Sequence, residues 1–392
     1  MTTVYAPARR IAESLVARNE VCERFFRAQA TPLAEACRSM ADRFLDGGRL
    51  IAFGRGPYAT DAQHVSVEFV HPVIVGKRAL PALDLSTIFP AGVETIVRPA
   101  DMVMGFGPPE GDPDVWSVLA RAGTRGAMTF ALPGREGSYA VDATSGDPFV
   151  HQEIVEMLYH ILWESVHVFF EHRELGHEVG EAGFLYPFLG REKQETGAMV
   201  ADVAASVLMK VRDDAALRSE VAGEQADAIA QAVLVIHEAL ERDGKMILLG
   251  NGGSATDAND WAIDCVQPPA GWKPIPAVSL SAEPVVVTAI GNDVGIDVVF
   301  LRQLIAHAQP HDVVVSISTS GGSRNVIAAL EEARRRKLHT IALLGYDGGQ
   351  IVRQGLAEHP IVVRSDYIPR IQEVQASIYH VMRERLEELC RG

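Results

Sequence analysis

The chain of 392 residues is long enough for two domains of ordinary size, each with its own hydrophobic core. Its 47% hydrophobic and 22% charged residues are typical of a soluble globular protein and exclude a disordered chain. The formal net charge of −15 disfavours partners such as nucleic acid or an anionic membrane surface, because both require clustered lysine and arginine. Any anionic ligand is therefore expected in a local site.

The N-terminal sequence lacks the apolar core of a signal peptide, and no run approaches the ~18 apolar residues of a membrane span. The cysteines form no CxxC pair, which favours reduced thiols over a disulfide framework. These features predict a cytoplasmic protein that does not bind membranes.

The first half of the chain alternates strand-like runs with helical patterns. A long amphipathic pattern at 30–50 contains a Gly pair near its end that suits a helix C-cap, and the apolar run Leu50–Phe53 follows. Next comes the passage GRGPYATDAQHVSVE, from Gly54 to Glu68, which predicts a glycine turn and a helix. Further strand-like runs lie at 79–85, 102–107 and 126–132. This alternation predicts a parallel sheet flanked by helices, with ligands at the carboxyl ends of the strands.

The middle of the chain reads as a connection. Residues 174–198 include five glycines, a proline and many charges. We therefore predict a first domain at 1–173, a linker at 174–198 and a second domain at 199–392.

The second half repeats the first. The passage GNGGSATDANDWAID follows the run MILLG, and Asp61 and Asp257 within the two passages lie 196 residues apart. Near the ends of the halves, His160 and His380 lie 220 residues apart, so the first copy is 24 residues shorter in its middle. A long amphipathic pattern at 228–246 again contains near its end a Gly that suits a helix C-cap, and strand-like runs recur at 277–280, 313–318, 340–345 and 360–364. Two homologous α/β domains in tandem follow from this repeat.

Two turns of the second half are suited to an anion. The glycine turn places small residues and backbone amides at a helix start, namely Asn251, Gly252, Gly253 and Ser254. The serine-threonine turn supplies four hydroxyls within six positions, namely Ser318, Thr319, Ser320 and Ser323. A hydroxyl-rich turn at a helix N-terminus fits a phosphate monoester. Capping and turn formation alone would account for either loop taken singly.

Four blocks of the second half carry a specific resemblance: GNGGSATDA, VSLSAEPVVVTAIGNDVGIDVVFLRQ, SISTSGGSRNVIAALEEARRRKLHTIALLGYDGG, and PRIQEV with His380. In order, they cover most of residues 246–385, and they resemble the sedoheptulose-7-phosphate isomerases, or phosphoheptose isomerases, of the sugar isomerase (SIS) family. The resemblance implies flavodoxin-like three-layer α/β/α sandwiches with central parallel sheets, and oligomers with sugar-phosphate sites at subunit interfaces. It also implies that the serine-threonine turn holds the phosphate, and that Asp293 and Gln372 contact the substrate.

The halves depart from the family pattern in opposite ways. The family helix after the glycine turn reads close to DAQHxxxE, but the second half has Asp260 and Asp264 in the His and Glu places. The first half keeps His64 and Glu68 but lacks the hydroxyl turn, where it reads MGFGPPEGD. We therefore hypothesise a covalent pseudo-dimer in which one hybrid site combines both halves. Two chains would then form a homodimer that resembles a tetramer of single SIS domains.

The resemblance also implies residues for metal binding and catalysis. In some family members the helix His and Glu bind zinc with a later Gln and His, here His64, Glu68, Gln152 and His160. His64 and Glu68 are four residues apart and share one helix face, although an ordinary exposed pair would have the same spacing. Gln152 and His160 lie about 80° and about 12 Å apart on an ideal helix, which indicates different ends of a site. No nucleotide or organic cofactor is expected.

The expected reaction is an aldose–ketose isomerisation of a sugar phosphate through an enediol. Glu68 would remove the proton between C1 and C2, and His160 would act as the acid, with His380 as the alternative. A Glu68 that binds zinc would be a poorer base, so the two roles compete. A non-catalytic sugar-phosphate-binding protein and an isomerase of another phosphosugar remain the alternatives.

Overall fold

The computed structural model describes residues 7–73, 77–175 and 196–391. Residue contacts divide the chain into two compact units. The first unit comprises Glu20–Asp213, and the second comprises the chain up to Asn19 and from Asp214 onward. Most of the predicted linker lies outside the described residues, so the boundaries at 173 and 199 remain a prediction.

The elements of the first half follow one another in the expected alternation. In chain order they are α1 (Pro7–Leu45), β1 (Leu50–Phe53), α2 (Tyr58–Val70), β2 (Ala82–Asp84), α3 (Ala91–Ile96), β3 (Met102–Phe106), α4 (Pro113–Thr124), β4 (Met128–Leu132), β5 (Tyr139–Ala140) and α5 (Pro148–Leu175). A short 3-10 helix, Ser86–Ile88, follows β2.

The second half has the same alternation with additional helices. In chain order its elements are α6 (Thr196–Glu224), α7 (Ala226–Leu240), β6 (Met246–Leu249), α8 (Gly253–Val266), β7 (Ala277–Ser279), α9 (Pro284–Asp293), α10 (Val299–His307), β8 (Val313–Ser318), α11 (Arg324–Arg335), β9 (His339–Gly345), α12 (Gly349–Arg353), β10 (His359–Val363) and α13 (Ile368–Arg391). The boundary between the two units falls within α1 and within α6. Among the described residues of both halves, no helix combines the length and apolar character required to cross a bilayer.

Each unit contains one five-stranded parallel sheet, and the two sheets have the same strand order. The order is β2-β1-β3-β4-β5 in the first unit and β7-β6-β8-β9-β10 in the second. This is the flavodoxin-like order, in which ligands bind where the strands end. The predicted fold, two tandem flavodoxin-like α/β domains with central parallel sheets, is confirmed.

Both faces of each sheet are covered, because successive strand residues enter two separate cores. On β1, Leu50 and Ala52 belong to one cluster of buried apolar residues and Ile51 and Phe53 to another. The strands of the second unit divide in the same way between two clusters. A strand that is apolar on both faces is typical of a parallel sheet between two helix layers, which gives each unit three layers.

The strand registers locate the 24 residues that the first copy lacks. Equivalent residues are offset by 196 between β1 and β6, by 211 between β3 and β8, and by 220 between β5 and β10. The second half therefore has 15 more residues between its first and third aligned strands and 9 more between the fourth and fifth. These insertions coincide with the region of α9 and with α12.

Two features of the structure differ from what the sequence indicated. The strand β5 was not predicted, since two residues show no periodicity, yet Tyr139 and Ala140 pair in parallel with β4. Of the two glycines expected after the long helices, the first half has its left-handed residue at Gly47, with φ of +83°. In the second half that conformation falls on Asp243, with φ of 60°, and not on Gly244.

Candidate functional site

The glycine turn of the second unit links β6 to α8 through a very close backbone approach. A side chain at Gly250 would meet the carbonyl oxygen of Ser254 at 2.1 Å, and Gly252 has a φ of +56°. Both positions therefore require glycine. The turn leaves Asn251 and Gly252 exposed, Gly253 partly exposed and Ser254 buried at the start of the helix.

The serine-threonine turn follows β8, the neighbouring strand in the same sheet. Gly321 has a φ of +58°, and a side chain there would meet the carbonyl oxygen of Gly348 at 2.2 Å. That carbonyl immediately precedes α12, and Ile351 of α12 donates its amide to the Gly321 carbonyl at 3.0 Å. The inserted helix α12 thus packs against the backbone of the serine-threonine turn at Gly321.

The hydroxyls of this turn differ in their environment. Ser318 is buried and its Oγ accepts the amide of Gly321 at 3.2 Å, whereas Ser320 is exposed and Thr319 is partly exposed. Ser323 occupies the N-cap position of α11, but its side chain makes no capping hydrogen bond. Exposed hydroxyls beside a helix start without a side-chain cap form a suitable receptor for phosphate oxygens.

A pair of asparagines joins the two turns. The Nδ2 of Asn251 donates to the Oδ1 of Asn325 at 3.0 Å, and the Nδ2 of Asn325 donates to the Oδ1 of Asn251 at 2.8 Å. Asn325 was not predicted from the sequence, and its position directly after the hydroxyl turn was the available signal. The pair holds two helix starts in a fixed relation.

The two remaining predicted substrate residues of this half lie elsewhere on the second unit. Asp293 is the exposed last residue of α9 and accepts a hydrogen bond from the Nδ2 of Asn292 at 2.8 Å. Gln372 is buried on α13, eight residues before His380. Neither residue belongs to an element that forms the two turns, so their substrate roles remain predictions.

In the first unit an internal carboxylate occupies the corresponding helix start. Asp112, at the N-cap of α4, accepts the amides of Asp114 at 2.9 Å and Val115 at 3.3 Å. Arg55 of the altered glycine turn approaches Asp112 at 3.3 Å and Asp114 at 2.9 Å. In the first unit, ion pairs of Arg55 therefore join the two turns. The helix amides that could bind a phosphate are already hydrogen-bonded to Asp112.

The predicted catalytic and metal residues of the first unit form a buried cluster between α2 and α5. The Nε2 atoms of His64 and His160 lie 3.4 Å apart, and the Nε2 of His64 lies 3.8 Å from the Oε1 of Glu68. The three residues are at most 2% exposed, and the potential ligand atoms all lie within 4.8 Å of one another. We call this group the first-unit centre; it could hold a metal ion.

The carboxyl group of Glu68 has an unusual titration. Burial, followed by the charge of Glu164, raises the pKa of Glu68 to about 8. Its Oε2 is buried and accepts no hydrogen bond. Glu164 in turn forms a buried ion pair with Lys210. Glu68 is therefore mostly neutral at pH 7 unless a cation approaches it.

Gln152 is not at the centre of this cluster. Its Nε2 donates to the Oδ2 of Asp61 at 3.3 Å, one helical turn before His64 on α2. Gln152 and His160 therefore contact different residues of α2, and their service at different ends of a site remains a prediction.

The equivalent positions of the second unit also converge. The Nε2 of His380 lies 3.3 Å from the Oδ2 of Asp264 and 3.5 Å from the Oδ2 of Asp260, and Tyr379 donates its hydroxyl to Asp260 at 2.8 Å. Burial and the charge of Asp260 raise the pKa of Asp264 to about 7. We call this group the second-unit centre. Both aspartates of this centre therefore contact buried polar side chains. The family motif alone, in which they stand in the places of His and Glu, did not indicate these contacts.

The second half of the chain is similar to known proteins. The SIS domain model matches residues 211–345. The phosphoheptose isomerase of Citrifermentans bemidjiense is 45% identical over 166 residues, which cover 42% of this chain and 85% of that protein. The phosphoheptose isomerase of Geobacter sulfurreducens is 40% identical over 191 residues, or 48% of this chain and 98% of that protein.

The chain belongs to the SIS-domain family of sugar-phosphate isomerases that includes the phosphoheptose isomerases. A solved structure, the C-terminal domain of glucosamine-fructose-6-phosphate aminotransferase from Francisella tularensis, covers 99% of this chain and 98% of its own. Its TM-score is 0.63 at 8% identity, so this likeness concerns the fold alone. The likeness of fold thus extends over both halves, although the curated relatives align with only about half of the chain.

Within this SIS chain the family motif is divided between the units. The second unit carries both turns with their glycines and hydroxyls, whereas His64 and Glu68 lie in the first unit. Tyr159 and Tyr379 precede the two clustered histidines, so the pair Tyr-His is a repeated signal that sequence reasoning missed. Each unit therefore keeps one part of the family motif and departs from the other.

Proposed function

We propose that this chain isomerises a sugar phosphate between its aldose and ketose forms, with sedoheptulose 7-phosphate and a heptose 7-phosphate as the favoured pair. The relatives named phosphoheptose isomerase, at 37–45% identity, support the seven-carbon substrate. The protein would act in the cytoplasm, in carbohydrate metabolism, as a homodimer.

The observation that carries the proposal is the pair of turns in the second unit. Ser320 and Ser323 present hydroxyls beside the start of α11, and the glycine turn at Asn251 is hydrogen-bonded to the same helix start. A phosphate group bound there would accept hydrogen bonds from hydroxyls and backbone amides, and charge-assisted bonds of this kind are about twice as strong as neutral ones. The bound phosphate would fix one end of the sugar.

Proton transfer requires a base and an acid at the other end. Glu68 is the proposed base, and with a pKa of about 8 only about one chain in ten carries the ionised form at pH 7. Activity limited by this group rises with pH up to about 8. His160, buried against His64, is the proposed acid, and His380 is the alternative.

The first-unit centre fits a metal ion. Two ligands bonded to one tetrahedral zinc ion lie about 3.4 Å apart, close to the separations among His64, Glu68 and His160. The Oε2 of Glu68 is buried and has no hydrogen-bond partner, and a bound cation would satisfy it. Bound zinc would supply a positive charge that polarises a substrate carbonyl. In that state Glu68 would be a ligand, and proton removal would fall to another group.

The proposed base is tested with Glu68→Gln, because the amide keeps the shape but cannot take the proton. Isomerisation should be lost while the affinity for the phosphosugar stays nearly unchanged. Asp264→Asn, the matched change in the second-unit centre, should have a much smaller effect on turnover. The opposite pattern would assign the chemistry to the second unit, and full activity in both variants would contradict the role of Glu68 as the base.

A mixing experiment tests whether the halves that serve one reaction belong to the same chain or to different chains. Glu68→Gln chains are combined with chains that carry Ser320→Ala and Ser323→Ala. Recovered activity would show that the halves of different chains complement each other, whereas a persistently inactive mixture is expected if each chain is self-sufficient. A third outcome is a wild-type protein that binds phosphosugars but does not isomerise them. The variants would then have no activity to lose or recover, and the protein would be a sugar-phosphate sensor.

A further inference from the structure

The two units join their paired turns with different chemistry at the same positions. Asn251 and Arg55 are offset by 196, the offset of the first strands, and Asn325 and Asp114 by 211, the offset of the third. An amide pair therefore occupies the second unit where an ion pair occupies the first. The units therefore differ in how the two turns are joined, in addition to the difference at the N-cap of the following helix.

The consequence of the difference is seen at the helix starts. In the first unit the N-cap carboxylate of Asp112 accepts hydrogen bonds from two helix amides and forms an ion pair with Arg55. In the second unit the N-cap residue is Ser323, which is offset from Asp112 by the same 211 residues and makes no side-chain cap. The neutral amide pair joins the turns without adding a charge. The Oδ1 of Asn325 accepts the amide of Val326, which is equivalent to that of Val115, but Ser323 caps no amide, so the helix start remains suited to an external anion.

Asn325 has the contacts of a residue that fixes this arrangement. It is 7% exposed, exchanges two hydrogen bonds with Asn251, and its Oδ1 also accepts the amide of Val326 at 2.9 Å. A buried amide with all three bonds satisfied has one orientation. It therefore sets the distance between the glycine turn and the hydroxyl turn.

We propose that Asn325 is a positioning residue for the phosphate of the substrate, and that the residues at 251 and 325 decide whether a unit receives an anion at its turns. The first unit, with Arg55 and Asp114, would bind no phosphate at its own turns, so each chain takes up one phosphosugar. This inference rests on the proposed function for the identity of the substrate but not for the binding of phosphate.

The test measures binding of inorganic phosphate by calorimetry, together with kcat and KM for the phosphosugar. Asn325→Ala should weaken phosphate binding and raise KM about tenfold or more, because two hydrogen bonds and the loop spacing are lost, while kcat at saturation stays within about threefold. Glu331→Ala, an exposed change on the same helix, is the control and should leave both values unchanged. Phosphate binding by Asn325→Ala within twofold of the wild type would overturn the proposal.

A double variant separates two effects, namely the contact between the side chains at 251 and 325 and the binding of phosphate. Asn251→Arg with Asn325→Asp installs the pair of the first unit, which should restore any melting temperature lost in Asn325→Ala but leave phosphate unbound. Wild-type phosphate affinity in the double variant would contradict the inference. If Ser320→Ala with Ser323→Ala binds phosphate normally as well, the proposed phosphate site itself is wrong, and the two failures are thereby distinguished.

Discussion

Glu68 should make the stability of the metal-free protein depend on pH, and Glu68→Gln should remove that dependence. Burial and the charge of Glu164 raise the pKa of Glu68 from 4.5 to about 8. A carboxyl group whose pKa is higher in the folded state holds an extra proton there between these two values, so the folded state loses stability as pH rises through this window. The loss levels off about one pH unit above 8.

The size of the effect follows from the shift. At 1.36 kcal/mol per pKa unit the total is about 5 kcal/mol, of which about 3 kcal/mol falls between pH 6 and pH 9. For a unit of this size, that corresponds to a fall in melting temperature of roughly 5–10 °C. Glutamine stays neutral at every pH and occupies the same volume, so the fall should disappear in Glu68→Gln.

The assay is scanning calorimetry of protein treated with a chelator, at pH 6, 7, 8 and 9. Glu35→Gln, a change at an exposed carboxylate of α1, serves as the control and should retain the wild-type slope. An equal slope in Glu68→Gln and wild type would refute the argument, because the titrating group would then lie elsewhere. Added zinc should reduce the slope of the wild type, since a bound cation stabilises the ionised carboxylate.

Further predictions concern both units. Ser320→Ala with Ser323→Ala should weaken phosphosugar binding by calorimetry about a hundredfold or more, as two charge-assisted hydrogen bonds are lost; unchanged binding would remove the hydroxyl turn from the site. Asp264→Asn should flatten the loss of stability between about pH 4 and pH 7, because the pKa of Asp264 is raised from 3.8 to about 7; a wild-type melting profile would contradict this. Asp112→Ala should cost about 1 kcal/mol of stability through the lost helix cap, whereas Arg55→Ala should cost less, since its ion pairs are largely exposed; equal melting temperatures for the two would refute the ranking. Light scattering should give the mass of two chains, and a monomer at micromolar concentration would contradict the assembly.

The local pattern of the sequence was sufficient for the strands. Each of β1, β3, β4, β6, β8, β9 and β10 lies within or overlaps a predicted apolar run, because strands covered on both faces are continuously hydrophobic. The tandem repeat was also predictable, since equal spacing between matched residues survives in the sequence. The two-residue strand β5 could not be predicted, because it exists only through its pairing with β4.

The candidate site was predictable in its residue types but not in its contacts. The glycines at 250 and 252 could be assigned, because a tight strand-to-helix turn requires them whatever surrounds it. The roles of Asp260 and Asp264 could not, because as isolated changes from a family motif they indicate loss of function. Only the folded structure shows that both aspartates contact His380, which is 116 or more residues away in the chain.

The sequence by itself determined that the chain has two α/β halves, that hydroxyl and glycine turns occur together in the second, and that His64 and Glu68 share a helix face in the first. These properties depend on backbone conformation and on spacing within a few residues. The tertiary structure alone decided that Asn325 holds Asn251, that Asp112 occupies its own helix start, and that the pKa of Glu68 is raised to about 8. The physical reason is that hydrogen bonds between distant segments and the desolvation of a carboxylate arise only when the layers pack together, which no local pattern records.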